Sequence, residues 1–125
     1  MKKPASILIV EDEIVLQDVY KLILSSKGYD VHTASNGAEG IQKIKAVRPD
    51  LVLLDIFMPV MDGRELLRNI DLDLYPDMVV VVHSNLSDSA TENEMRELGA
   101  HSFILKSSMT PKDLLDVVSK ELAKI

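Results

Sequence analysis

The chain has 125 residues, 46% of them hydrophobic and 27% charged, with a formal net charge of −6 and no cysteine. That length supports one domain with a proper core, and the composition excludes a disordered chain, disulfides and thiol chemistry. An acidic balance without a long Lys/Arg run, and 4% aromatics with no Trp, argue against direct nucleic-acid binding.

The predicted elements alternate strand and helix from end to end. Met1-Lys2-Lys3-Pro4-Ala5 lacks the apolar core of a signal peptide. Ile7–Val10 reads as a short buried strand running into Glu11, Asp12 and Glu13. Glu13 reads as a first-turn helix acid. A helix follows with Val15, Val19, Leu22 and Ile23 on its apolar face, closed by Gly28. Val31–Ala34 is a second strand, and Asn36-Gly37 turns into a helix carrying Ala38, Ile41 and Ile44, which Pro49 ends. Leu51–Leu54 is the third strand and runs into Asp55. A loop over 58–63 leads to a short helix with Leu66, Leu67 and Ile70. Asp71, Asp73 and Asp77 surround Pro76 in a solvated loop. Met78–Val82 is strand four, Ala90–Leu98 a helix stopped by Gly99, and Phe103–Leu105 strand five, running into Lys106. Thr110, Pro111 and Asp113 stand as N-cap, first helical residue and third-position acid of a last helix on Leu114, Leu115, Val118 and Leu122.

No apolar run approaches the roughly 20 residues of a membrane span. The expectation is a cytoplasmic protein without membrane insertion, forming one domain over 1–125. Strands that read as continuous apolar runs are covered on both faces, and five βα units with right-handed crossovers give a three-layer α/β sandwich with a parallel sheet. In such a sheet the carboxyl ends of the strands share one edge, where ligands bind. Glu11, Asp12 and Asp55 therefore converge with Lys106. Clustered carboxylates repel one another unless a positive group lies among them. A divalent cation beside an anion site held by Lys106 is the arrangement these charges point to. His32, His83 and His101 are dispersed without metal-ligand spacing and read as structural or surface residues.

Taken in order, Val10-Glu11-Asp12-Glu13, Leu53-Leu54-Asp55-Ile56-Phe57-Met58-Pro59, Asp62-Gly63, Ser84 after strand four, and Phe103 three before Lys106 closely resemble the receiver domain of bacterial response regulators. The resemblance covers essentially the whole chain. It implies a flavodoxin-like, doubly wound sheet of order 2-1-3-4-5 with five helices. It implies that Asp55 accepts a phosphoryl group from a phosphohistidine on a histidine kinase or histidine phosphotransfer protein. Mg²⁺ (or Mn²⁺) would be held by Asp12, by Glu11 mainly through water, by Asp55 and by the backbone carbonyl of Phe57. Lys106 and Ser84 would hold phosphoryl oxygens. Ser84 and Phe103 would form a switch that alters a face presented to a downstream protein target. Ile14, Val15, Met109 and Pro111 would meet the phosphodonor.

Several positions depart from the usual receiver. Ser107 follows Lys106 where proline is usual, so a trans bond with a shifted Ser107-Ser108 loop is expected. Asn85 follows Ser84 where a small residue is typical. Phe57 and Leu86, two residues beyond Asp55 and Ser84, are bulky and apolar, which predicts slow self-dephosphorylation. Two other functions fit the same topology. One is a binding module that never uses phosphorylation, for which the acid and lysine set is superfluous. The other is a flavin carrier, whose phosphate would be repelled by Glu11-Asp12-Glu13.

Overall fold

The computed structural model describes residues 3–85 and 88–124. Five parallel strands, β1 (Ser6–Val10), β2 (Asp30–Ala34), β3 (Leu51–Asp55), β4 (Val79–Ser84) and β5 (Ser102–Leu105), form one sheet of order β2-β1-β3-β4-β5. The helices are α1 (Ile14–Ser25), α2 (Gly37–Val47), α3 (Gly63–Asn69), α4 (Ser89–Glu97) and α5 (Pro111–Leu122). The expected doubly wound fold is the fold observed.

Each strand feeds both core layers by its period of two. Leu8, Val10, Val52, Leu54, Val80 and Val82 pack into one layer with Ile44, Leu66 and Met95 of α2, α3 and α4. Ile7, Ile9, Leu51, Leu53, Val79 and Val81 form the other with Tyr20 and Leu24 of α1 and Leu114 and Val118 of α5. All five residues of β3 are buried, as a central parallel strand requires. Local chemistry sets the helix ends. The Asn36 side chain accepts the Glu39 N–H, and Asp62 with Glu65 and Thr110 with Asp113 form reciprocal capping boxes. Gly28 turns with φ +87° just past α1, a conformation an L side chain resists.

The structure corrects the expected apolar face of α1. Val15 and Leu22 are 78% and 74% exposed and Val19 is also exposed; only Ile23 of that set is partly buried. The buried face carries Gln17, Tyr20 and Leu24. Gln17 can occupy a core position because its amide donates to the carbonyls of Glu11 (3.0 Å) and Ala34 (3.2 Å). Glu13 is the N-cap of α1 rather than part of its first turn, and its side chain makes no cap bond.

β4 also runs two residues further than expected. It carries His83 opposite Asp55 and Ser84 opposite Leu105. His83 is fully buried, so of the alternatives read for it the structural one holds. The Asp-rich loop contains a 3-10 turn over Leu72–Leu74, capped by Asp71. There is no cis peptide among the described residues, and Lys106–Ser108 is a 3-10 turn entered through a trans Lys106–Ser107 bond.

Candidate functional site

Strand ends build the site. β1 delivers Glu11 and Asp12, β3 ends on Asp55, β4 on Ser84, and Lys106 follows β5 directly. The backbone is tied on both sides of the acids. The Glu11 N–H donates to the Ala34 carbonyl at 3.0 Å, and Gln17 holds the Glu11 carbonyl from α1. On the far side of Asp55, the Gly63 N–H donates to the Ile56 carbonyl at 2.8 Å. A Cβ on Gly63 would collide with the Asp55 carbonyl oxygen, so only glycine lets α3 begin this close to the acid.

Carboxylate oxygens of Glu11, Asp12 and Asp55 lie within 4.8 Å of one another. Among the described residues one ammonium serves this cluster: Lys106 Nζ lies 2.6 Å from Glu11 Oε1 and donates to Asp55 Oδ2 at 3.1 Å. Glu11 Oε2 accepts the Asp12 N–H at 3.1 Å. Glu11 and Asp55 are buried, at 0% and 4% exposure, and Asp12 is half-buried. Burial, then the hydrogen bond and charge of Asp55, push the Glu11 carboxyl up to about 8 against the pull of Lys106. Burial pushes Lys106 down, but its bonds and charge pairing with Glu11 and Asp55 outweigh this and hold the ammonium above its ordinary pKa.

Three carboxyl groups sharing one ammonium form an all-oxygen cluster with one half-open member, in which Glu11 is short of compensating positive charge. A hard divalent cation that retains waters suits that donor set. Glu11 Oε1 is buried, and its neighbour is the Lys106 ammonium at 2.6 Å.

The other expected residues lie around this cluster. Ser84 is buried at the end of β4. Phe103 is half-buried, in register with Val82 and packed on the layer that α4 covers. Phe57 is 51% exposed. Asn85 is exposed, and Leu86 lies outside the described residues. The face expected to meet a donor is open: Ile14 and Val15 are exposed, Pro111 is exposed and Met109 half-buried. A cavity of about 140 Å³ between α1 and α5 is lined by Val19, Ile23, Met109 and Pro111, together with Lys106.

Three side chains around the site have roles that the linear pattern shows only in part. Gln17 fixes the acid loop; its polarity hid its place on the buried face. His83 stacks edge-on against Tyr20, with ring centroids 5.4 Å apart. Burial, then the charge of Lys106, hold its imidazole down at about 3, so it is neutral, near the Val10 carbonyl but without a well-formed hydrogen bond. The alternation Val79, Val81, His83 was the signal for its inward direction. Arg64 of α3 lies over the Phe57 ring and pairs with Glu94 of α4. Nothing in the linear pattern links those three.

The family described as "Response regulator receiver domain" matches residues 7–119. Chemotaxis protein CheY of Thermotoga maritima is 32% identical over 115 residues, covering 91% of this chain and 94% of that protein. The probable C4-dicarboxylate response regulator DctR of Bacillus subtilis is 40% identical over 107 residues, 84% of this chain but 47% of that protein. The transcriptional regulatory protein TrcR of Mycobacterium tuberculosis is 37% identical over 90 residues, 70% of this chain and 35% of that protein. The chain thus spans about a third to a half of several curated relatives it matches. Among solved structures, a CheY-like receiver domain protein from Methanospirillum hungatei JF-1 superposes with a TM-score of 0.89 at 32% identity, covering 97% of this chain and 95% of that one.

Proposed function

The chain belongs to the response regulator receiver family of two-component signalling, and on that premise we propose that Asp55 is its phospho-acceptor. The supporting observation is the buried cluster in which Lys106 Nζ lies 3.1 Å from Asp55 Oδ2 and 2.6 Å from Glu11 Oε1, with Asp12 alongside.

In this reading an Asp55 carboxylate oxygen attacks the phosphorus of a phosphohistidine on a histidine kinase or phosphotransfer protein. The new P–O bond forms as the P–N bond breaks, and the electron pair returns to the donor imidazole. Lys106 neutralises a phosphoryl oxygen as a point charge at the position where it already pairs with Asp55. The Ser84 hydroxyl takes a second oxygen. Receiver domains bind Mg²⁺ at such an acidic pocket; here Asp12, Glu11, Asp55 and the Phe57 carbonyl would hold it, and its charge lets two anions meet. Burial of Glu11 and Asp55 keeps water from screening these charges.

Receiver domains interact with histidine kinases and downstream effectors. The donor here docks on the exposed apolar side chains of α1 and the loop before α5, Ile14, Val15, Met109 and Pro111. Displacement of Ser84 toward the phosphoryl group draws Phe103 inward and alters the face of α4, β5 and α5 that a target protein reads. Relatives named as transcriptional regulators are longer than this chain; the receiver itself, at net charge −6, holds no nucleic acid. No helix among the described residues is long and apolar enough to cross a membrane.

Incubation with acetyl phosphate and Mg²⁺, read by intact mass, tests the proposal. One phosphoryl group per chain is expected, lost when EDTA is present. Equal incorporation with and without the metal would contradict it, as would a chain that takes none.

A further inference from the structure

Arg64 is an arginine on a surface helix whose side chain is only 22% exposed, because it is held from two directions. Its guanidinium lies over the Phe57 ring, 5.4 Å from the centroid, and its Nε donates to Glu94 of α4. Its position is fixed by the backbone: Gly63, directly before it, abuts the Asp55 carbonyl. Arg64 also reaches α4 electrostatically. The carboxyl of Asp88, the cap of α4, is held below its usual range first by the Thr91 N–H and hydroxyl, and further by the charge of Arg64. The Phe57 ring, two residues past the acceptor, is 51% exposed. Here one cation joins it to the helix that follows β4.

We propose that Arg64 is a positioning residue that pins the Phe57 ring at the rim of the Asp55 site and, through Glu94, makes the lifetime of the acyl phosphate depend on where α4 stands. The inference rests on the reading of Asp55 as phospho-acceptor. Self-dephosphorylation needs a water oxygen to bond to phosphorus in line with the Asp55 oxygen. The P–O bond to Asp55 then breaks, its electron pair returns to the carboxylate, and the water's proton leaves with inorganic phosphate or to solvent. A pinned apolar ring offers that water no hydrogen bond and occupies part of its approach. A released ring still offers no hydrogen bond but no longer holds that place in the water's approach. Since Glu94 is the anchor on α4, a partner that shifts α4 also changes how long the signal lasts.

The test is decay of the phosphorylated chain after acetyl phosphate is removed, with Mg²⁺ retained. Arg64→Ala is expected to decay about two- to fivefold faster than the natural chain, the factor an exposed cation–π contact supports. Glu94→Gln, an independent surface change on another helix, is expected to accelerate decay in the same direction. In a Phe57→Ala background, Arg64→Ala should add nothing, which a general loosening of the fold would not reproduce. Normal loading with unchanged decay in both Arg64→Ala and Glu94→Gln overturns the inference alone. So does a full additional acceleration by Arg64→Ala on top of Phe57→Ala. A natural chain that accepts no phosphate overturns both the inference and the reading beneath it.

Discussion

Asp12 sits where the balance of charge in the cluster is weakest: half-buried, with Lys106 engaged by Glu11 and Asp55 instead. Removing its carboxylate relieves repulsion in the metal-free protein. At the 4.8 Å limit that encloses the three ligand oxygens, one like-charge pair in well-screened surroundings is worth about 1 kcal/mol. Asp12→Ala is therefore expected to be slightly more stable than the natural chain without metal. The order reverses when Mg²⁺ is added. The natural chain gains about 1.4 kcal/mol at ten times its Kd, because the ion binds only the folded state. Asp12→Ala gains little. Thermal melts of both proteins with Mg²⁺ and with EDTA measure this. An equal Mg²⁺-induced rise in Tm for the two proteins would remove Asp12 from the ligand set.

At the scale of elements, α1 and the loop after β3 carry the clearest consequences. Val15, Val19 and Leu22 form an apolar stripe on the outer face of α1, open to water, while Gln17, Tyr20 and Leu24 hold the helix to the sheet. Charged substitutions on the stripe should leave folding nearly untouched, within about 0.5 kcal/mol, as surface changes generally do. Val15→Asp with Leu22→Asp should nevertheless slow transfer from a phosphohistidine donor while loading from acetyl phosphate stays normal. Equal transfer rates would remove α1 from the docking face. The loop from Asp55 to α3 contains a different feature. Val60 is 80% exposed with φ +70°, in the left-handed region that a β-branched residue strongly resists. Asparagine accepts that conformation, so Val60→Asn is expected to raise stability by about 1 kcal/mol. A denaturation midpoint that falls would mean that the Val60 side chain contributes more than its backbone costs.

Across the whole molecule, what could be read from the linear chain follows a physical division. The alternation of strand and helix was legible because continuous runs such as Leu51–Leu54 occur only where both faces of a strand are covered. The convergence of Glu11, Asp12, Asp55 and Lys106 was legible too, since a parallel sheet aligns its strand ends. The rotation of α1 was not. It has apolar side chains on both sides, and the direction is set by tertiary bonds from Gln17 to Glu11 and Ala34 that no periodicity encodes. The extension of β4 is hidden for a related reason: His83 and Ser84 look like a polar ending, yet pairing with Asp55 and Leu105 continues the strand. Arg64, Phe57 and Glu94 meet only through packing of the β3–α3 loop against α4. The acceptor assignment for Asp55 joins these levels, and locating the phosphate tests it most directly. After loading with acetyl phosphate and Mg²⁺, borohydride reduction of an aspartyl phosphate leaves homoserine at the modified position, which peptide mass spectrometry can place. Homoserine is expected at position 55 alone, and none in Asp55→Asn. Homoserine at another aspartate, or a hydroxylamine-stable phosphate on Ser84 or another hydroxyl, would contradict it.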